Sequence, residues 1–309
     1  MVSIDVFNVD GMFALSYSVV FVNSGLSKVF DEKKMGSYLA GLWEGDGHIV
    51  LPSLNSQGLL KNTPCVAITA DRKQLPLFKV FEQKFGGWIR SKKKENAVVW
   101  TVTAQTDLLK IVTLINGHIR SAKLDQFNLL MDYVNKIFPS AQLVKHSVDC
   151  SALSENYWLA GFIDADGCFK IRSTESSVNP QTGRKTKKRM ALSFKIEQRQ
   201  THKITHQSFE PLMKSIADFL TVKLSMSKHS GVNYGCVEVS SLSRMQILVD
   251  YLKVYPLLTT KRHDFEDFLQ AFNLIQANQH LTLEGQKTIL SLKNGINRKR
   301  TIYNWDYLN

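Results

Sequence analysis

Two acidic residues, Asp46 and Asp166, are the next-to-last residues of two similar nine-residue stretches of this 309-residue chain. The stretches are Leu39 to Gly47 (LAGLWEGDG) and Leu159 to Gly167 (LAGFIDADG). Each predicts a short apolar helix closed by a glycine that suits the left-handed position after a helix. A carboxylate at the negative end of the helix dipole is unfavourable by a few tenths to about 1 kcal/mol. If the helices pack side by side through their small residues, the acids converge, and a divalent cation would offset their repulsion.

A single Asp-Gly pair more often makes a simple turn than a metal site. Here each pair follows Leu-Ala-Gly at the same spacing, and the two copies lie 120 residues apart. The repetition therefore favours a functional site over two unrelated turns.

The two stretches resemble the signature of the LAGLIDADG homing endonucleases. The second departs from that signature only at Phe162, whereas the first departs at Trp43, Glu44 and Gly45. The resemblance makes Glu44 and Asp164 structural residues of the helix interface rather than metal ligands.

The resemblance also implies that Asp46 and Asp166 hold catalytic metal ions, together with the backbone carbonyls of Gly45 and Ala165. Mg²⁺ is the expected cofactor, since it prefers carboxylates, water and substrate phosphate as ligands. Mn²⁺ is expected to substitute for it, and Ca²⁺ to support DNA binding without cleavage.

Lys123 and Lys261 occupy the same place in the two halves, at the start of a predicted helix, and match the paired active-site lysines of the family. The resemblance implies an electrostatic role, either orienting water or stabilising the scissile phosphate. A lone lysine at a helix start would more often be a solvated surface residue. Gln198 lies where the family often has a polar, water-ordering residue. Its counterpart is Ala70, so the two half-sites are expected to be unequal.

Length and composition fit a basic protein of two compact units. The net charge of +12 and the pI near 9.4 favour a polyanionic partner, without separating nucleic acid from an anionic membrane surface. The four scattered cysteines disfavour structural zinc and a disulfide framework and indicate a reducing compartment. The apolar run from Met12 to Val22 is too short to span a bilayer and makes a poor signal peptide, so no membrane association is expected.

Hydrophobic periodicity predicts the same element order twice: a helix, two strands, a helix, two strands and further helices. The predicted fold class is α+β, with two αββαββα repeats related by a pseudo-twofold axis. The resemblance implies that their antiparallel sheets form a DNA-binding saddle and that the two motif helices lie at the central interface. Residues 1–35 form an N-terminal extension of unknown role, either an extra element packed on the first half or residual sequence from an upstream reading frame. The other predicted divisions are a first repeat at 36–138, a linker at 139–155, and a second repeat with a C-terminal helix at 156–309.

DNA recognition is expected from the strands, with a more polar strand in the second half. Alternation after the second motif places Lys170, Arg172 and Thr174 on one face, which suits base edges in a major groove. The equivalent strand of the first half, predicted from His48 to Leu54, is mostly apolar.

A cationic insertion at 179–189 is either a solvated loop or a hairpin tip that contacts phosphates. The predicted DNA contacts are His48, Arg72, Lys73, Arg90, Lys92, Lys93, Lys170, Arg172, Thr174, Arg184, Lys185, Lys187, Lys195, Arg199 and Lys228.

The resemblance implies a monomeric, site-specific double-strand DNA endonuclease. It would cleave a long, asymmetric target, leave short 3′ overhangs, and be encoded in an intron of a mitochondrial or chloroplast gene. Two rival functions remain on the same fold. One is an RNA maturase that binds its host intron RNA, and the other is a non-catalytic DNA-binding regulator. The presence of both acids favours the nuclease, because neither rival needs metal-binding carboxylates.

Overall fold

The computed structural model of the chain describes residues 5–9, 12–16, 32–59, 61–178, 180–186 and 188–308. Within the predicted N-terminal extension it describes an antiparallel hairpin of strands β1 (Asp5–Val9) and β2 (Met12–Ser16) and the start of the first helix. The rest of that extension lies outside the described residues. None of the helices described here is long and apolar enough to cross a membrane.

The first repeat begins with a helix and continues into a four-stranded sheet with further helices. Its elements are α1 (Glu32–Asp46), β3 (Gly47–Val50), β4 (Cys65–Asp71), α2 (Leu75–Phe85), β5 (Trp88–Lys92), β6 (Ala97–Val102), α3 (Gln105–Ile115) and α4 (Leu124–Ile137).

The second repeat has the same order, with a small hairpin inserted after its first long strand. Its elements are α5 (Trp158–Asp166), β7 (Gly167–Thr174), β8 (Ser177–Val178), β9 (Lys185–Thr186), β10 (Arg189–Arg199), α6 (Glu210–Phe219), β11 (Ser225–His229), β12 (Val232–Val239), α7 (Leu242–Val254), α8 (Lys261–Gln276) and α9 (Leu283–Gly295).

The two large sheets have the same antiparallel topology. The strand order is β3-β4-β6-β5 in the first and β7-β10-β12-β11 in the second. Each strand therefore has a counterpart at the same place in the other sheet. This architecture of two repeated units with antiparallel sheets confirms the predicted α+β fold class.

Each sheet buries one face against helices and turns the other outward, as the alternation of strand residues predicts. In the second repeat, the Phe169 ring lies 5.1 Å from both the Phe194 and the Phe268 rings, which joins β7, β10 and α8. In the first repeat, Trp100 packs 5.3 Å from Phe81 of α2. We call the opposite side of each sheet its outward face.

The strand predicted from His48 to Leu54 is too long, because β3 ends at Val50. Pro52 follows two residues later and has no backbone N–H to donate to a neighbouring strand. Pro52 and Leu54 therefore lie beyond the strand.

The backbones of α1 and α5 are in direct contact through a pair of glycines. A Cβ atom on Gly41 would lie 2.0 Å from the Trp158 carbonyl oxygen, and one on Gly161 would lie 2.0 Å from the Tyr38 carbonyl oxygen. Both distances are far below van der Waals contact. The side-by-side helix packing predicted from the small residues is therefore confirmed.

The predicted left-handed glycine after each motif helix is wrong. Gly167 has φ −71° and ψ 147°, and Gly47 also lies outside the positive-φ region, because each chain passes straight from helix into strand. Glycine is required there for space. A Cβ on Gly47 would lie 2.1 Å from Cδ1 of Trp43, and one on Gly167 would lie 2.7 Å from the Ile163 carbonyl oxygen.

Substituting Gly161→Ala should destabilise the protein by about 1–3 kcal/mol, because the added methyl group forces the two helix backbones apart. Chemical unfolding in urea would measure the change in the free energy of unfolding. Gly295→Ala at the end of α9 is the matched control, since its Cβ would meet only Asp267 Oδ2 at 3.5 Å. That control should be neutral or slightly stabilising. Equal stability of the two variants would contradict the glycine contact.

Candidate active site

Asp46 and Asp166 are the last residues of α1 and α5, so the packing of these helices brings the acids together. A Cβ on Gly45 would lie 2.2 Å from Ala165 Cβ and 3.2 Å from Asp166 Oδ2, which shows how closely the helix ends approach. Burial and the nearby Asp46 carboxylate together raise the pKa of Asp166 to about 6, against the opposing effect of Lys261 and Lys123. Burial also raises the pKa of Asp46. The predicted convergence of the two acids is confirmed.

Two lysines bind backbone carbonyls at the ends of the same helices. Lys123 Nζ donates to the carbonyl oxygens of Trp43 (3.1 Å) and Gly47 (2.8 Å). Its side chain is buried, with the residue only 8% exposed, so the reading as a solvated surface lysine is wrong. Burial lowers the pKa of Lys123 to about 8, against the opposing effect of the Glu44, Asp166 and Asp46 carboxylates.

Lys261 has a similar place in the second repeat but a different pair of partners. Its Nζ donates to the carbonyl oxygens of Ile163 (3.1 Å) and Ala165 (2.6 Å). Burial lowers its pKa, whereas the Asp164, Asp166 and Asp46 carboxylates raise it. The Ala165 carbonyl, a predicted metal ligand, thus already accepts a hydrogen bond from a lysine.

Glu44 connects α1 to the loop that precedes Lys123. Its carboxylate accepts hydrogen bonds from the backbone N–H groups of Arg120 (3.0 Å) and Ser121 (2.6 Å). It also accepts one from Trp158 Nε1 of the other motif helix, at 2.6 Å. Glu44 is fully buried. It therefore holds the Lys123 loop in place from inside the helix interface.

Asp164 does the same for the loop before Lys261. It accepts hydrogen bonds from the Leu258 backbone N–H (2.7 Å) and from the hydroxyl group of Thr259. Tyr38 Oη, from the other motif helix, donates to it at 2.6 Å. The structural role assigned to Glu44 and Asp164 agrees with these contacts.

The aromatic donors and the loop residues were not among the residues singled out from the sequence. The repeat spacing carries the signal, because Tyr38 and Trp158 lie at equivalent positions, as do Ser121 and Thr259. Gln74 was also missed. Its side chain forms two hydrogen bonds with Thr260, at 2.7 and 3.0 Å, which tie the turn between β4 and α2 to the Lys261 loop.

Gln198 lies beside Asp166, and its Nε2 donates to Asp166 Oδ2 at 3.0 Å. Its counterpart Ala70 lines a cleft next to Asp46 but offers no polar side-chain atom. Among the described residues, no hydrogen-bond donor contacts the Asp46 carboxylate. The polar surroundings of the two acids are therefore unequal, as the sequence predicted.

The residues at the helix ends fit a hard divalent cation. Two carboxylates with raised pKa values converge there, with Asp166 half-buried and Asp46 exposed, and a cation would stabilise their ionised forms. The described residues contain no group of three or more His, Cys, Asp or Glu side chains that could enclose a metal ion. Mg²⁺ suits such a site, because it is often bound by one or two carboxylates and completes its shell with water and substrate phosphate.

Two clefts lie at the ends of the motif helices. The larger, of about 680 Å³, is lined by Asp46, Lys261 and Ala70. The smaller, of about 390 Å³, is lined by Lys123 and Gln198. Each cleft thus combines the lysine of one repeat with a strand end of the other.

The outward face of the second sheet carries most of its predicted DNA contacts. Strand pairing places Lys170 opposite Ser193 and Lys195 opposite Cys168. Lys228 lies on the opposite face of β11, so it is not on the outward face. Ser227 and His229, which were not predicted as DNA contacts, lie on the outward face. The predicted residues on the outward face are Lys170, Arg172, Thr174, Lys195 and Arg199.

The inserted segment forms the two-stranded hairpin β8–β9, which supports the hairpin geometry predicted for it. Lys185 lies in β9, Arg184 directly precedes that strand, and both are exposed. Lys187 lies outside the described residues. Phosphate contact by this hairpin stays a prediction.

The outward face of the first sheet is less charged. His48, Arg90 and Lys92 lie on it, between small or apolar residues such as Ala67 and Val99. The other predicted contacts of this repeat lie in turns, with Arg72 and Lys73 after β4 and Lys93 after β5.

Comparison with known families identifies the chain. A family model described as LAGLIDADG endonuclease matches residues 39–134 and 159–272, which together cover more than half of the sequence. The chain belongs to the LAGLIDADG homing endonuclease family. The two matched segments contain the two motif helices and their sheets, so this is a single-chain, two-motif member.

Similar LAGLIDADG proteins include intron-encoded enzymes and solved DNA complexes. The intron-encoded DNA endonuclease aI3 of Saccharomyces cerevisiae is 25% identical over 309 residues, which cover 89% of this chain and 72% of that protein. The intron-encoded RNA maturase bI4 of the same yeast is 28% identical over 150 residues, covering 48% of this chain and 21% of the maturase. The crystal structure of I-GzeII with its DNA target shares the fold, with a TM-score of 0.66 and 18% identity, covering 86% of this chain and 99% of that one. I-SmaMI bound to uncleaved DNA in the presence of calcium ions has a TM-score of 0.61 and 21% identity, covering 85% and 98%.

Because of Asp166, the free energy of unfolding of the metal-free LAGLIDADG protein should depend on pH between about 4 and 6. Its pKa of about 6 lies above the ordinary value of 3.8, so the native state retains a proton that the unfolded chain has released. This stabilising proton is fully bound in the native state below about pH 4 and is lost as the pH rises through about 6. Relative to Asp166→Asn, the free energy of unfolding of the wild type should fall by about 1–3 kcal/mol across this window, measured by urea unfolding in EDTA.

Asp132→Asn is the control, because this exposed carboxylate of α4 forms an ion pair with Lys145 at 2.6 Å, remote from the motif helices. It should keep the wild-type slope. A wild-type slope in Asp166→Asn would contradict the assignment.

Proposed function

We propose that this protein is a site-specific double-strand DNA endonuclease that hydrolyses phosphodiester bonds with the help of Mg²⁺. The observation that carries the proposal is the meeting of two acids with raised pKa values, each with a lysine nearby, between two similar sheets with unequal outward faces. Cleavage of both strands needs two equivalent chemical sites, which Asp46 and Asp166 would supply. Reading a long asymmetric target needs two different surfaces, which the two sheets would supply.

Asp46 and Asp166 would hold the divalent cation, with the Gly45 carbonyl oxygen as a further ligand. The Ala165 carbonyl could contribute only through a lone pair that Lys261 leaves open. A bound divalent cation supplies Lewis-acid stabilisation of the phosphate and a more acidic water. We expect Mn²⁺ to replace Mg²⁺, and Ca²⁺ to support binding without turnover.

Lys123 and Lys261 would stabilise the negative charge that develops on the scissile phosphates. Their hydrogen bonds to helix-end carbonyls fix each ammonium group next to the acids before DNA arrives, so little reorganisation is needed during the reaction. With a pKa of about 8, Lys123 is mainly protonated at neutral pH. Gln198, hydrogen-bonded to Asp166, would orient a water molecule in the second half-site only.

The partner is double-stranded DNA, bound across the two outward faces by a monomer, since one chain contains both repeats. Basic residues of the turns and of the β8–β9 hairpin would contact phosphates, so binding should weaken steeply with salt.

We infer cleavage across the minor groove with short 3′ overhangs from the family resemblance. The same resemblance and the intron-encoded relatives support an origin in an organellar intron, most plainly a mitochondrial one. We also retain the division into an extension at 1–35, repeats at 36–138 and 156–309, and a linker at 139–155.

A second candidate function is that of an RNA maturase, favoured by the similarity to the yeast maturase over about half of this chain. Host intron RNA would then bind the same basic protein. This role needs no metal-binding acid. Faster splicing of the host intron by a variant that lacks both acids, without any DNA cleavage by the wild type, would favour the maturase over the nuclease.

Asp46→Asn and Asp166→Asn should each reduce double-strand cleavage by at least about a hundredfold, because each removes a charged metal ligand from the site. The assay is cleavage of a randomised double-stranded DNA library in Mg²⁺, with the cut sequences recovered and the rates then measured on the selected target. Asp132→Asn should cleave at the wild-type rate. Undiminished cutting by either active-site variant would refute the role of that acid.

Gln198→Ala should slow the cleavage of one strand by about tenfold and leave the other nearly unchanged, because it gives the second half-site the residue found at Ala70. Nicked DNA would then accumulate. The measurement uses a target labelled differently on each strand. Equal slowing of both strands would show that Gln198 acts on the whole protein rather than on one half-site.

A further inference from the structure

The outward face of the second sheet contains an acidic residue among cations. Glu197 of β10 accepts hydrogen bonds on Oε1 from Lys195 Nζ (3.1 Å), His229 Nε2 (3.1 Å) and the hydroxyl group of Ser227. Within the described part of the chain, its second oxygen, Oε2, accepts no hydrogen bond. The side chain is 26% exposed. One oxygen of Glu197 is therefore fixed by the protein while the other remains available.

The Glu197 carboxylate is ionised under working conditions. Partial burial would raise its pKa, but hydrogen bonds from Ser227, His229 and Lys195 lower the pKa to about 2. An ionised carboxylate only accepts hydrogen bonds. On a surface that meets DNA it is repelled by phosphates, so a favourable contact requires a hydrogen-bond donor on a base.

In the major groove, the edge of a C·G pair offers such a donor beside two acceptors. The cytosine N4 amine donates, while guanine O6 and N7 accept. Lys195 and Glu197 lie two residues apart on one strand face and are already in contact. Their donor and acceptor side by side complement the two halves of that edge.

The Lys195–Glu197 pair is not repeated in the first half of the protein. Repeat spacing, with Gln198 equivalent to Ala70, makes Ala67 and Thr69 their counterparts. The acids and lysines of the active site, in contrast, occur in both halves. Because this pair occurs in one half and lies on the outward face, it suits the reading of an asymmetric target, which needs two different surfaces.

We propose that Lys195 and Glu197 together select a C·G base pair in the half of the target that the second repeat reads, with Glu197 accepting from cytosine N4 and Lys195 donating to guanine. This inference rests on the proposed DNA endonuclease function. His229 and Ser227 are positioning residues that hold the carboxylate in place.

The test begins with the site that the wild-type protein selects from randomised DNA in Ca²⁺. Dissociation constants are then measured for that site, for its single-base-pair variants, and for a version in which a pyrimidin-2-one, which lacks the N4 amine, replaces the selected cytosine. Glu197→Met is compared with Glu238→Met, a matched removal of one carboxylate from the same face, where Glu238 lies 3.7 Å from Arg172.

One C·G pair should be required by the wild type, and loss of its amine should weaken wild-type binding by about 5- to 150-fold. Glu197→Met, which has no oxygen to accept from the amine, should be insensitive to it, and Lys195→Met should lose selectivity at the same base pair. Glu238→Met should keep the wild-type requirement there. The amine substitution tests the wild type directly, so the result does not depend on the folding of any variant.

Equal sensitivity of the wild type and Glu197→Met to the missing amine would overturn the inference, since Glu197 would then only position Lys195. A selected and cleaved site without such a C·G requirement would overturn it while leaving the endonuclease function intact. Failure of the wild type to select or cut any DNA would overturn both.

Discussion

The contact between the α1 and α5 backbones is the constraint on which the rest of the structure depends. Gly41 and Gly161 allow each helix to touch a carbonyl oxygen of the other, and no larger side chain fits at this distance. This close packing brings the two terminal acids together at one end of the helix pair. Their desolvation and mutual repulsion follow directly, and so does the suitability of the site for a cation. The unfavourable electrostatics at the helix ends is thus a result of the packing that joins the repeats.

The same helix pair also positions the lysines, although these belong to other helices. Glu44 and Asp164 extend from the interface to the loops before Lys123 and Lys261, and the lysines then bind carbonyl groups at the helix ends. The chain of contacts is short and almost entirely buried. Glu44 and Asp164 each accept several hydrogen bonds, and the loss of a donor would leave a buried charge uncompensated. The two acids therefore hold the loops rigidly against the motif helices. Active-site geometry and helix packing are therefore one structural unit.

Much of this arrangement could be predicted from the sequence because it is repeated. Hydrophobic periodicity that recurs in both halves indicated the element order and the fold class, and the two copies of the motif indicated the convergence of the acids. The conformation of Gly167 could not be predicted, since a glycine after a helix serves a left-handed turn or a tight contact equally well. The hydrogen bonds that Tyr38 and Trp158 each donate to the other motif helix could not be predicted for a different reason. Apolar periodicity assigns aromatic residues to a core without showing which polar group their N–H or O–H atoms reach.

The crossed aromatic contacts have a consequence for how freely the two halves can be recombined. Tyr38 of the first repeat donates to the acid of the second, and Trp158 of the second donates to the acid of the first. A chimera that joins one repeat to the half of a different protein would keep each acid but change its donor. A phenol and an indole differ in length and in the direction of the donated hydrogen, so Glu44 suits an indole and Asp164 a phenol. Compatibility between exchanged halves thus depends on two aromatic–carboxylate pairs at the interface.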